Sequence, residues 1–311
     1  MRHGRYRFVA EFLVLPVILY AVFVVSPYVQ TVMYSFTDWR GVSSRVSFIG
    51  LGNYRALLHD DVFWLALRHN AVMLVVLPFA TIAVALFFSF MLNIGRQGEG
   101  GSIGGVRGSG FYRVIYFFPQ VLSVAILAVL WQAVYRTDRG GLLNGLLMRL
   151  GVIDEAHPLL FLSSHSAVLW CVIFVIFWSS VGFYVVLFSA AMQAIPKDYY
   201  EAALLDGAGR VVTFRKLTIP LLWDQIQVAW VFLAIAAMDG FALVYTMTPA
   251  TAGGGGGPDH QSEVIATHLY RNGFVFGKTG YACAIGVVLF LLTLALSMLS
   301  LRLSRKERIE L

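Results

Sequence analysis

The sequence predicts an all-α, polytopic membrane protein with six transmembrane helices, and three observations carry the prediction. Of its 311 residues 59% are hydrophobic and only 13% are charged, about half the charged share of ~25% in a soluble domain. Mean hydropathy is +0.75, and the apolar residues gather into runs of roughly 20 or more, the length a helix needs to cross a bilayer. The net charge of +6 comes from short basic clusters beside those runs. That is a pattern of loop topology and not of a nucleic-acid surface.

The first span is placed at residues 9–36. Arg2, Arg5 and Arg7 precede it, as in a secretory signal, but the apolar run far exceeds a signal core of about 7–15 residues, so an uncleaved span is expected. The outer loop that follows holds Trp39 and Trp64, read as interfacial anchors. The second span is 67–94. Pro16, Pro27 and Pro78 lie in or near these two spans, where neighbouring helices satisfy the carbonyls a proline frees. Residues 95–110 are dominated by glycine; with no preceding strand and no helix-opening lysine they are a linker and not a phosphate loop. The third span is 112–135, the fourth 164–192, the fifth 222–247 and the sixth 280–301, making one permease-sized domain over 1–311. Between the last two, Gly253 to Gly257 and Pro258 mark a loop. Gly273–Thr279 approaches a P-loop pattern, but Asn272 occupies the position of its first glycine. Cys171 and Cys283 lie inside apolar runs with no metal-ligand neighbour, as small core residues. The basic tail from Arg302 to Arg308 is expected at an anionic leaflet.

Lysine and arginine set the orientation. With the N-terminus inside, fourteen of the 23 fall in the inner segments and nine in the outer ones. Both termini and the connector 196–220 are therefore expected in the cytoplasm.

That connector, between the fourth and fifth spans, is itself amphipathic. Asp198 is read as an N-cap with Glu201 three residues on, a capping-box pair. Ala202, Ala203, Leu204 and Leu205 favour helix, and Gly207 and Gly209 supply a left-handed stop. A second helical segment starts near Val211. On composition alone this is equally an ordinary amphipathic loop. The stretch EAALLDGAGRVVTFRKLTIP nevertheless resembles the EAA loop of binding-protein-dependent ABC importer permeases, through Glu201, Ala202, Ala203, Asp206, Gly207, Ala208, Phe214 and Pro220. The usual ending Ile-x-Leu-Pro is here Leu217-Thr218-Ile219-Pro220, and a further proline near Trp223 is missing. GLGNYRALL followed by FWLALRHN, the run from Arg113 through Pro119 to Asn144, and the glycine-rich loop before the last span are similar to other parts of that family, so the resemblance spans nearly the whole chain.

The resemblance implies a permease of the sugar class, similar to maltose and glycerol-3-phosphate permeases, in a bacterial cytoplasmic membrane. It implies a second, similar permease, an ABC ATPase dimer and an extracytoplasmic solute-binding protein as partners. Those eight residues would couple to the ATPase. No cofactor is expected on this chain, ATP and Mg being held by the ATPase, and no catalysis. The solute is expected to be a sugar; an amino-sugar such as N-acetylglucosamine or its oligomers is the more specific expectation, on no particular residue.

Two other classes compete. An ion-coupled secondary transporter would need intramembrane acids or broken helices, and a membrane enzyme a nucleophile–base pair or a metal-spaced histidine cluster. One acid is placed inside a span, Asp239. A charge there costs about 2.5–3.5 kcal/mol on insertion scales, so it is expected to face the protein interior or a wet cavity. Phe241 and Tyr245 follow it, and aromatic faces beside a carboxylate suit a sugar; a pairing with a group on a partner helix, or a place near the outer interface, accounts for Asp239 more simply. Gly182 and Tyr184 of the fourth span complete the expected path.

Overall fold

The structure, a computed structural model, describes residues 12–43, 45–94, 96–97, 103–104, 106, 108–248 and 255–304. The N-terminal arginines, most of the glycine-rich linker, Gly253, Gly254 and the tail beyond Ser304 lie outside the described residues. Helix α1 is Phe12–Tyr34, with a π-turn at Ala21–Val25. Then come α2 (Gly52–Leu58) and α3 (Asp61–Ile94), followed by a short antiparallel pair, β1 (Arg96–Gln97) and β2 (Ile103–Gly104). Next are α4 (Ser109–Val121), α5 (Val124–Val134), α6 (Leu142–Arg149) and α7 (Val168–Gln193). The connector forms α8 (Lys197–Leu205) and α9 (Arg210–Leu221). Then follow α10 (Trp223–Asp239), α11 (Phe241–Met247), α12 (Ile265–Tyr270) and α13 (Thr279–Ser304).

Helices α1, α3, α7 and α13 are each long and apolar enough to cross a membrane. The other expected spans are bent. The third is α4 and α5, which meet at 97°. Leu122 is extended there (φ −69°, ψ 137°), and the Ser123 hydroxyl accepts the Ile126 N–H at 3.4 Å, an N-cap that starts a new helix. The fifth is broken at Gly240, whose φ of +32° favours glycine, and α9 joins α10 at 72°. Helix α3 starts before the expected residue 67 because Asp60 caps it, its carboxylate accepting the N–H groups of Val62 (2.9 Å) and Phe63 (3.2 Å).

The chain divides into two compact units, Met1–Phe63 with His268–Leu292 and Trp64–Thr267 with Thr293–Leu311. In the first, Asn53 Nδ2 donates to the carbonyls of Ser35 (2.9 Å) and Thr37 (2.8 Å), tying α2 to the end of α1. Gly280 lies against the same turn: a Cβ there would sit 2.1 Å from the Thr37 oxygen.

The second unit has two apolar clusters. One surrounds Met73, Val172, Ala237 and Val244; the other surrounds Phe90, Val185, Phe188 and Leu233. Cys171 belongs to the first. The helices α4 and α7 cross at Gly182, where a Cβ would sit 1.7 Å from the Tyr116 carbonyl oxygen. Without a hydrophobic driving force between helices in lipid, such small residues let backbones pack closely.

Gly182→Ala therefore inserts a methyl where only backbone fits. We expect a loss of about 1–3 kcal/mol or more, read as a lowered melting temperature and a smaller monodisperse fraction of the purified protein, while Gly110→Ala, with open space at its Cβ, stays at wild-type level.

Candidate functional site: the EAA-like connector and the break in the fifth span

Helix α8 follows Pro196, which stands at the N-cap with ψ 136°. Proline's fixed φ suits a helix start. The expected capping box is not formed. The helix begins at Lys197, so Asp198 is its second residue and Glu201 its fifth, out of reach of the cap, and no side chain caps the end. Asp198 instead places its charge in the first turn, favourably toward the helix dipole.

The C-terminal end is built as the glycines imply. Gly207 has φ +74°. The Ala208 N–H bonds the Ala203 carbonyl (2.9 Å) and the Gly207 N–H bonds the Leu204 carbonyl (3.0 Å). These are the two bonds of a Schellman motif. Gly209 does not stop the helix but precedes the next one, at φ −70° and ψ 163°. A Cβ at Gly207 would meet nothing within 4 Å, so the need for glycine is conformational on this chain, and the space above it is open.

The eight resemblance residues fall into two groups. Glu201, Ala202, Asp206, Gly207 and Pro220 are exposed, and Ala203 and Ala208 are half-buried. Leu205, at 88% exposure, stands out beside them. Phe214 faces the other way: its ring lies 4.7 Å from that of Phe90 and packs on the second core cluster. Tyr200, which sequence reasoning passed over, is only 4% exposed. Its hydroxyl lies 3.4 Å from that of Thr218, in the π-turn Phe214–Thr218, and burial holds the phenol above its ordinary pKa. An aromatic in a polar helix at the position facing the following helix was the signal available.

At the fifth span, Asp239 ends α10 and is exposed, with no ion pair among the described residues. Phe241 and Tyr245 are one turn apart on α11, their rings stacked at 5.2 Å. Gly255 packs against the Tyr245 backbone, where a Cβ would come within 2.9 Å. The expected partners from the fourth span lie elsewhere. Tyr184 is buried in the second core cluster and Gly182 is taken up by the helix crossing, whereas Ala237, Leu243 and Val244, around Asp239, belong to the first.

The break itself is secured by a residue to which the sequence reading gave no role of its own. Asn70, fully buried on α3, donates from Nδ2 to the carbonyls of Ala237 (2.9 Å) and Met238 (3.3 Å), and its Oδ1 accepts the Ile265 N–H (2.9 Å). Beside it, His69 Nδ1 donates to the Glu263 carbonyl (2.8 Å). An amide inside an apolar run was the signal.

In the first unit the loop after α1 and the start of α13 enclose a cavity of about 720 Å³, lined among others by Trp39, Asn53, Asp60, Asn272, Lys278 and Tyr281. Burial pushes the Asp60 carboxyl up, but the Tyr281 hydroxyl (2.6 Å), His268 (2.9 Å) and the Phe63 N–H together hold it below its ordinary pKa.

Residues 70–309 match the family described as the binding-protein-dependent transport system inner membrane component. The chain belongs to that family. It is 38% identical over 301 residues to the diacetylchitobiose uptake system permease protein of Streptomyces coelicolor, covering 97% of this chain and 83% of that one. It is 28% identical to the multiple sugar-binding transport system permease protein of Streptococcus mutans, over 95% and 94% of the two chains. Among solved structures, a bacterial ABC transporter involved in the import of the acidic polysaccharide alginate superposes with a TM-score of 0.79 over 98% of each chain at 20% identity. That likeness establishes a shared fold. The permease is thus of the sugar ABC importer class, as the EAA-like connector and the loop motifs imply, and its family is one of transport components and not of enzymes.

Proposed function

We propose that this permease carries an N-acetylated amino-sugar disaccharide of the diacetylchitobiose kind into the cell, driven by ATP hydrolysis on separate partner subunits. The solute rests on the relative of 38% identity, whose name specifies diacetylchitobiose. The observation that carries the coupling is the geometry of α8. It is a short helix anchored on one side by Tyr200, which meets Thr218 of α9 while Phe214 of α9 packs on Phe90, ended by a Schellman turn, and exposed along Glu201, Ala202, Leu205 and Asp206. In our reading this face docks into a cleft of an ABC ATPase, with ATP and Mg bound there. These anchors transmit its displacement to α10, a second permease of similar fold completes the path, and an extracytoplasmic binding protein delivers the sugar. Both termini and α8 face the cytoplasm of a bacterial inner membrane. Asp239, Phe241 and Tyr245 line the path at the Gly240 break, where a carboxylate accepts sugar hydroxyl or amide protons and stacked rings meet the sugar's C–H faces.

Gly207→Val forces a branched side chain into a left-handed backbone, at roughly 1–2 kcal/mol or more, and fills the open space that the docked partner would occupy. We expect the variant to reach the membrane but to lose ATPase co-purification or the stimulation of hydrolysis by loaded binding protein. Wild-type values for both would rule out α8 as the coupling element. Asp239→Asn removes the charge at constant size. Uptake of diacetylchitobiose should fall roughly tenfold, the worth of a hydrogen bond to a charged group, with assembly intact; unchanged uptake kinetics would exclude the role. For orientation, a cysteine replacing Gly255 should react with a membrane-impermeant reagent only from outside, and one replacing Gly207 only from the cytoplasmic side; the opposite labelling would invert the topology.

A further inference from the structure

One groove in the second unit has a composition the transport reading does not use. Phe87, Phe90 and Met91, in the last turns of α3, and Val211 of α9 help to enclose a volume of about 390 Å³. Phe87 and Val211 are 54% and 69% exposed. Arg210 and Arg215 line the same groove. Both are exposed, and among the described residues neither forms an ion pair with a carboxylate.

The height of this groove in the membrane follows from the length of α3. At 34 residues it is about 50 Å long, more than the ~30 Å hydrocarbon thickness and the ~40–45 Å that includes the headgroups. Its last turns therefore stand near the level where acyl chains give way to headgroups. An apolar channel whose walls include the stems of two exposed arginines at that level matches one chemistry. The channel takes an acyl chain, and the planar N–H forks donate to phosphate oxygens. Two cations at one groove also select an anionic headgroup over a zwitterionic one. A soluble phosphate would leave the apolar walls wet, and a purely apolar occupant would leave both arginines unused.

We propose that this groove is a binding site for one anionic phospholipid, seated between the end of α3 and the helix that follows α8. The orientation argued above enters only in naming the leaflet, which is then the cytoplasmic one. The lipid contacts α9 directly, so its occupancy bears on the mobility of the adjoining connector.

The test uses the full-length chain in detergent, with native mass spectrometry in the presence of dioleoylphosphatidylglycerol, dioleoylphosphatidylcholine or soluble glycerol phosphate. Wild type should retain the phosphatidylglycerol about tenfold or more over the phosphatidylcholine. The double variant Arg210→Gln/Arg215→Gln should lose that preference, and Arg210→Lys/Arg215→Lys should keep most of it, which separates loss of charge from loss of fold. A cysteine in a Val211→Cys variant should be shielded from a thiol reagent by phosphatidylglycerol. Equal retention of the two lipids by wild type, undiminished preference in the Gln variant, or displacement of the lipid by glycerol phosphate would each overturn the proposal. So would a Val211→Cys thiol shielded only in the assembled importer and never by lipid, which would assign the groove to the ATPase. None of these lipid readouts depends on which sugar is carried or on whether α8 couples, so they fail separately from the transport reading.

Discussion

In hydrocarbon no water is available to a backbone carbonyl that has lost its helical partner, and each such group left bare costs several kcal/mol. The second unit contains a broken span at Gly240, and its integrity depends on how the freed carbonyls are satisfied. Asn70 does this from another helix, donating to Ala237 and Met238 while accepting the Ile265 N–H. One fully buried amide thus holds α3, the end of α10 and the start of α12 in register. It also sets where Asp239 and the stacked pair Phe241 and Tyr245 stand, because these residues flank the same break.

The other break obeys the same constraint by a local route. At Leu122 the chain becomes extended, and the Ser123 hydroxyl takes the place of a lost helical acceptor. Close packing then has to hold the two halves without much help from the hydrophobic effect, since lipid tails are as apolar as leucine. Gly182 meets that demand by letting α7 touch the backbone of α4 at Tyr116. This explains why Gly182, expected along a solute path, is instead spent on a helix crossing.

The connector shows a division between an inward and an outward face. Tyr200, Thr218 and Phe214 point inward and fasten α8 and α9 to the ends of the spans. Glu201, Ala202, Leu205 and Asp206 remain exposed, and Gly207 turns the chain with no bulk above it. A helix held on one side and bare on the other is suited to receive a partner and pass on its movement, which is the role proposed for it. The exposed arginines of α9 line an apolar groove next to this connector, so the lipid proposed there and the proposed protein partner would share one short segment.

The sequence by itself determined the class of the chain and its family. Composition, run length and the position of the EAA-like motif are local properties, and the resemblance rests on contiguous residues such as Glu201–Ala208. It also determined the Gly207 turn, since a left-handed residue is written into one position. The N-terminal cap of α8 was misread by two residues because a proline at the boundary competes with an acid two positions later, and only the folded chain decides which wins. Asn70, Gly182 and Tyr200 were not assignable beforehand. Each acts through a contact 18 or more residues away in the chain, and apolar runs of near-uniform hydropathy carry no record of which helix faces which. Whether a polar or small residue inside a span serves a solute path or a backbone carbonyl is therefore decided by the tertiary arrangement alone: both uses require the same residue types, and only the neighbours that packing brings in tell them apart.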